Sequence, residues 1–399
     1  MTTPTEIRTE TRSRRLNDDP NTPHKRYLQT RYFASLDGLR CLCILAVLWH
    51  HSTKPDIPLR LNELGFLGVG MFFALSGFLI TTLLLRERDS TGTISLTDFY
   101  ARRTIRIFPI YYLLLAALAV FYGLVNRGTA EGQAYFQDLP YFLTYTSNWI
   151  HVAAGNQDIL WSLATEEQFY ILWPLIEKLL RPRWALGVLL GIIGVNQLIN
   201  FGITDPLTAR WFGEEFNSLS IMDATFTPIA LGVLLAHCFH HPGVFKLFYR
   251  VLAPAWSPLA LLLGFLVFLE FTPRDISGWP RLGIHLLMTM LLGSIVIREQ
   301  HWLRRPLMLW PFKRLGMISY GMYLYHMWCL HIVREGLTAA GVVGEERLYI
   351  FPVAGLLLTI AVSEASFRLI ETPILKLKKR FATGRNATKP LSTPNENPS

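Results

Sequence analysis

The stretch Leu36-Asp37-Gly38-Leu39-Arg40-Cys41-Leu42-Cys43-Ile44-Leu45-Ala46-Val47-Leu48-Trp49-His50-His51 carries a carboxylate and a guanidinium at its start and two histidines at its end. The residues between are largely apolar. A helix turns about 100° and rises about 1.5 Å per residue, so the steps from Arg40 to His51 make close to three turns. Their side chains then share a face, roughly 16 Å apart along the axis. Asp37, three residues before Arg40, is within ion-pairing reach on that face. Taken alone, the stretch has a plainer reading, in which Arg40 snorkels to a membrane interface and His51 ends a helix. The remainder of the chain favours the other one, the wall of an interior channel.

Of 399 residues, 51% are hydrophobic and only 17% charged, against a usual quarter. Mean hydropathy is +0.29. These values define an all-α polytopic membrane protein rather than a soluble enzyme. Apolar segments fall near 35–52, 65–85, 105–125, 160–180, 184–201, 221–239, 252–271, 281–298, 315–335 and 349–370, which predicts a bundle of about ten transmembrane helices. The segment at 160–180 is the least apolar, because it contains Glu166, Glu167 and Glu177. Residues 1–34 are expected to be a disordered basic tail, 35–371 the membrane domain and 372–399 a second basic, disordered tail. No apolar run precedes Tyr32, so no cleaved signal peptide is expected, and no further soluble domain. The net charge of +9 lies in loops and tails, with one set of connections about twice as rich in Lys and Arg as the other. That pattern points to a lipid bilayer rather than nucleic acid. It puts both termini in the cytoplasm, Arg40 at the cytoplasmic end of the first span and His51 near its outer end. Cys41, Cys43, Cys238 and Cys329 sit in apolar segments without metal-ligand spacing, so no metal site is expected.

Four further groups carry possible chemistry. Ser76, in a small-residue stretch that serves helix packing, lacks the surroundings of an activated nucleophile. Arg102, Arg103 and Arg106 form a basic cluster, suited to phosphates through the planar guanidinium fork, with Tyr100 and Phe108 beside it for an adenine. Positive-inside anchoring is the alternative. Glu166 and Glu167 are adjacent carboxylates about 100° apart, one able to meet an arginine and the other to orient a histidine. Tyr323 and His326 share a face of the ninth span, where His326 is either a core histidine or a cavity wall.

Taken in order, these segments resemble acyltransferase family 3, integral membrane proteins that include bacterial O-acetylases of cell-surface polysaccharides and macrolide 3-O-acyltransferases. The matching motifs are Leu36–Arg40 with the spacing to His51, Phe72-Phe73-Ala74-Leu75-Ser76-Gly77-Phe78-Leu79-Ile80, Arg102/Arg103 through Arg106 with Pro109 and Tyr111, Trp161-Ser162-Leu163 through Tyr170, and Ser319-Tyr320 through His326. Gly70 departs from the family, where a carboxylate is frequent. The resemblance implies an O-acyltransferase of the inner (plasma) membrane. It would move an acyl group, acetyl in the first instance, from cytoplasmic acyl-CoA to a carbohydrate hydroxyl, with no permanently bound cofactor. It implies His51 as general base, Glu167 or Glu166 as its orienting group, Arg40 tuned by Asp37 at the thioester or a CoA phosphate, and Arg102, Arg103 and Arg106 at the nucleotide. A multi-span exporter is the rival reading, although no internal repeat is visible.

Overall fold

The computed structural model describes residues 22–52, 60–212, 226–342 and 344–376. Among these residues the secondary structure is helical throughout, with no strand. A short helix α1 (Pro23–Gln29) is followed by α2 (Ser35–Ser52), α3 (Leu67–Thr91), α4 (Leu96–Val120), α5 (Ala130–Leu143), α6 (Leu160–Leu179), α7 (Pro182–Asn200), α8 (Asp205–Phe212), α9 (Thr227–His240), α10 (Pro242–Leu252), α11 (Ser257–Glu270), α12 (Trp279–Ile297), α13 (Trp310–Met317), α14 (Ser319–Ala339) and α15 (Glu345–Ser366). One π-turn, Phe121–Val125, extends α4, and another, Phe367–Glu371, extends α15.

Every apolar segment expected from the sequence has a helix, but the expected ten crossings are not all supported. Among the described residues, five helices are long and apolar enough to cross a membrane: Leu67–Thr91, Leu96–Val125, Pro182–Asn200, Trp279–Ile297 and Glu346–Lys376. The pair α9 and α10, bent by 107°, makes a sixth if counted as one span. The physical reason is composition and length. Helices α2, α6 and α14 carry Asp37 and Arg40, three glutamates, and His326 with Arg334 and Glu335. Helix α11 has only 14 residues. The polar helices lie inside the bundle, while α7 and α15 are mostly exposed and present Leu190, Val195, Val353 and Leu357 outward.

Helix α3 is the hub. It packs against α9 along a crossing where the backbones touch: a Cβ on Gly77 would strike the Ile229 carbonyl, and one on Gly232 the Ala74 carbonyl. Small residues permit this approach, and dispersion between the two backbones replaces side-chain interdigitation. Helix α2 is fixed in the same way against the chain after α12. Gly38 meets the Leu307 backbone and Gly316 meets the Asp37 carbonyl.

Residues 22–33, expected to belong to a disordered tail, are ordered against the bundle. Tyr27 and Phe33 are buried among Phe78, Phe239 and Phe245, and the Arg86 guanidinium donates to the carbonyls of Tyr27 and Thr30 at 2.7 and 2.6 Å. Aromatic burial thus orders residues 22–33 despite their polar neighbours. At the other end the helix continues through Lys376. The rest of both expected tails lies outside the described residues.

Candidate functional site

A cavity of about 360 Å³ opens where α2, α3, α4, α6 and α14 meet. Its lining includes five arginines, Arg31, Arg40, Arg86, Arg103 and Arg106, with Glu166 the carboxylate among the lining residues. The lining also includes the apolar Val69, Phe72 and Leu163, together with Ser162 and Tyr323. An apolar pocket with a few converging polar groups has the general character of a ligand site, and its size is at the lower end for one.

The cations differ in how they are held. Arg86 is committed to the backbone of the α1 segment. Arg40 donates to Asp37 at 2.9 Å, and Asp37 also accepts from the Tyr32 hydroxyl. Its Nη1 is engaged while the rest of the fork remains toward the cavity. Arg103 lies 3.7 Å from Glu167, and its guanidinium carbon sits 3.4 Å from the centre of the Tyr170 ring. Arg106 has no ion-pair partner among the described residues and is close enough to Arg40 and Arg103 to feel both like charges. Three guanidiniums thus converge on one cavity, each with a carboxylate near it: Asp37 by Arg40, Glu167 by Arg103 and Glu371 facing Arg106.

Two of the expected nucleotide residues meet here and one does not. Arg102 pairs with Glu87 at 3.7 Å and is absent from the cavity wall. Arg103 and Arg106, three residues apart, share the cavity-facing side of α4. The expected adenine platform is also absent. The Tyr100 hydroxyl donates to the Ile171 carbonyl, and Phe108 is stacked on Tyr145, so neither ring lines the cavity. Ser76 does line it, beside these arginines, with no histidine hydrogen-bonded to it.

The expected link between the paired glutamates and His51 is not formed. Glu166 accepts from the Tyr170 hydroxyl at 2.8 Å, one turn along α6, and Glu167 faces Arg103. Both carboxylates serve the arginines. The group that meets His51 is His326, whose Nε2 is 3.2 Å from His51 Nδ1; the same His51 nitrogen is 3.0 Å from the Val47 carbonyl. His326 is wholly buried, with its Nδ1 2.6 Å from the Tyr323 carbonyl. Tyr323 bonds through its hydroxyl to Ser162 at 2.7 Å and to the Ile159 carbonyl at 3.0 Å. Tyr323 thus lines the cavity while its carbonyl holds His326, linking the cavity to the histidine pair. His50 packs on Phe66 and edge-on against the His51 ring, centroids 5.1 Å apart, with its own Nδ1 buried and unbonded.

Glu371 is a residue the sequence reading did not single out. It lies in the π-turn after α15, is 8% exposed and has a buried Oε1 without a partner, facing the Arg106 charge. The apolar run in the sequence ends just before it, at residue 370. A carboxylate directly after a span, followed by Thr372-Pro373, is the only signal the sequence offers.

An all-helical membrane bundle with an arginine-lined cavity at one end of α2 and a histidine pair at the other defines the class. The family model described as an acyltransferase domain matches residues 33–364, and the chain belongs to that family, acyltransferase family 3. Among curated proteins, the chain is 28% identical over 368 residues to O-acetyltransferase OatA of Staphylococcus aureus strain NCTC 8325 / PS 47, covering 87% of this chain. It is 29% identical over 382 residues to a protein of Staphylococcus aureus strain COL provisionally named an O-acetyltransferase, covering 88% of this chain. The chain spans 58% of the length of each of these relatives. No solved structure gives a significant match.

Proposed function

We propose that this protein is an acyl-CoA-dependent O-acyltransferase of the inner membrane. It moves an acyl group, acetyl in the first instance, from cytoplasmic acyl-CoA to a carbohydrate or glycoconjugate hydroxyl. The observation that carries the reading is one helix, α2, with Arg40 in an arginine-lined cavity at one end and His51, paired with His326, at the other. The family match and the O-acetyltransferase names of the relatives support it.

In this reading Arg103 and Arg106 hold CoA phosphates, and Arg40, steadied by Asp37, holds a phosphate or the thioester carbonyl oxygen. The apolar part of the lining receives the pantetheine arm and the acyl group. An alcohol is a weak nucleophile at neutral pH, so a base must take its proton as it attacks. His51 accepts the hydroxyl proton, the acceptor oxygen bonds to the acyl carbon, and the carbon–sulfur bond breaks. The CoA thiolate leaves and takes up a proton. The loop charges support a donor entering from the cytoplasm, with both chain ends on that side.

The test is purified protein with radiolabelled acetyl-CoA, assayed for label transfer to envelope glycans and for thioester hydrolysis without acceptor. Transfer or hydrolysis above that of a His51→Ala control is the expected result; neither, from folded protein, rejects the reading and leaves an exporter. Acetyl-CoA is then compared with its 3′-dephospho analogue. A charge-assisted phosphate contact contributes about 1.5–3 kcal/mol, so the analogue should raise the donor KM roughly ten- to a hundredfold. Equal KM values for the two donors would move the nucleotide away from the arginines.

A further inference from the structure

His326 has no role in the chemistry just described, yet its hydrogen bonds dictate the state of His51. Its Nδ1 lies 2.6 Å from the Tyr323 carbonyl oxygen. A carbonyl oxygen only accepts, so Nδ1 carries a proton. The ring is 0% exposed and has no carboxylate hydrogen-bonded to it, and burying an unpaired cation is costly. The ring is therefore neutral, and Nε2 holds a bare lone pair. That assigns a direction to the 3.2 Å contact between the two rings: His51 Nδ1–H donates and His326 Nε2 accepts. The Val47 carbonyl, 3.0 Å from the same His51 nitrogen, is a second acceptor for that proton. With Nδ1 protonated, neutral His51 has its lone pair on Nε2.

We propose that His326 is a positioning residue that locks His51 in the Nδ1–H tautomer, so that Nε2 is the atom receiving the acceptor's hydroxyl proton. The position that the sequence assigned to a glutamate is taken by a neutral imidazole. When His51 accepts the proton at Nε2, its Nδ1–H keeps both acceptors, and no second proton has to move. Tyr323 keeps His326 in place. Its carbonyl receives the Nδ1–H, and its hydroxyl is anchored to Ser162 and the Ile159 carbonyl on α6 and the turn before it. This assignment rests on the acyltransferase reading above.

The experiment compares His326→Gln, His326→Asn and His326→Met with wild type, with rates normalised to folded protein. Gln can offer an amide oxygen near the place of Nε2; Asn reaches only the place of Nδ1; Met fills the volume without an effective acceptor. The expected result is a kcat for Gln within about tenfold of wild type and losses of about a hundredfold or more for Asn and Met, with donor KM within about threefold throughout. Met retaining as much activity as Gln, or Gln falling as far as Met, overturns the proposal. A measurement on the unsubstituted chain stands beside it: ¹⁵N-histidine NMR, assigned by the resonances lost in His51→Ala. Neutral His51 should carry its proton on Nδ1, and a proton on Nε2 overturns the proposal whatever the variants do. Wild-type protein that neither transfers nor hydrolyses would sink the acyltransferase reading itself. An active wild type with equal Gln and Met variants would sink only the role of His326.

Discussion

Arg102 and Arg106 stand one turn apart on α4, yet their neighbours give them separate fates. Arg102 is spent on Glu87 at 3.7 Å, whereas Arg106 faces the cavity with no carboxylate in ion-pairing distance among the described residues, Glu371 lying further off. Arg106→Gln should raise the acyl-CoA KM about ten- to a hundredfold with a smaller change in kcat, and Arg102→Gln should leave KM within about threefold. Steady-state kinetics on membranes with matched protein levels checks both. The two adjacent histidines make a similar contrast. His51→Ala should lower kcat by about a hundredfold or more, as loss of a general base does. His50→Ala removes a ring that packs on Phe66 and the edge of His51 but has no hydrogen bond with His51, so most of the transfer should persist; equal losses in the two variants would remove the assignment. What could be read from the sequence at this scale was what lies along one helix. The spacing from Arg40 to His51 and the pair Asp37–Arg40 follow from helical geometry, and the latter closes at 2.9 Å. What could not be read was which helix faces which. His51 meets His326, 275 residues away, and Glu167 meets Arg103 because α4 and α6 are neighbours.

At the scale of elements, two contacts carry more than their size indicates. Gly77 on α3 and Gly232 on α9 each sit against a carbonyl of the other helix, so any side chain must push the helices apart. Overpacking of this kind costs about 1–3 kcal/mol or more. Gly77→Val and Gly232→Val should each lower the unfolding temperature in detergent and the yield of monodisperse protein; unchanged melting would show that the helices tolerate separation. Further along the same pair of helices, Glu177 of α6 is buried between Arg88 at 3.2 Å and His237 at 2.6 Å. Removing one partner of a buried ion pair costs about 3–5 kcal/mol. Arg88 is a quarter exposed, so Glu177→Gln should fall at the low end of that range, measured by thermal unfolding, with kcat per folded molecule unchanged. His237 thus belongs to a network that joins three helices. The helices themselves were legible from apolar run length. Their status as crossings was not, because the same polar residues that mark α2, α6 and α14 as functional also lower their hydropathy below that of a lipid-facing span.

For the whole molecule, the charge distribution predicts that both ends of the chain lie on the cytoplasmic side. Single cysteines introduced near residues 20 and 390 should resist an impermeant maleimide in intact cells and react after permeabilisation. The native thiols interfere little, since Cys41, Cys43 and Cys329 are buried and Cys238 partly so. Labelling of either end in intact cells would invert the orientation. The corner of 107° between α9 and α10 bears on how deep the molecule rides. Helix α10 buries Phe245 and Leu252 inward and exposes Leu247 and Val251 beside Lys246 and Arg250, the composition of a helix that floats in the headgroup layer. Because α9 is seated backbone to backbone on α3, and α3 forms a wall of the cavity, a corner held at the headgroup layer would act as a waterline, fixing how deep the arginine-lined cavity rides.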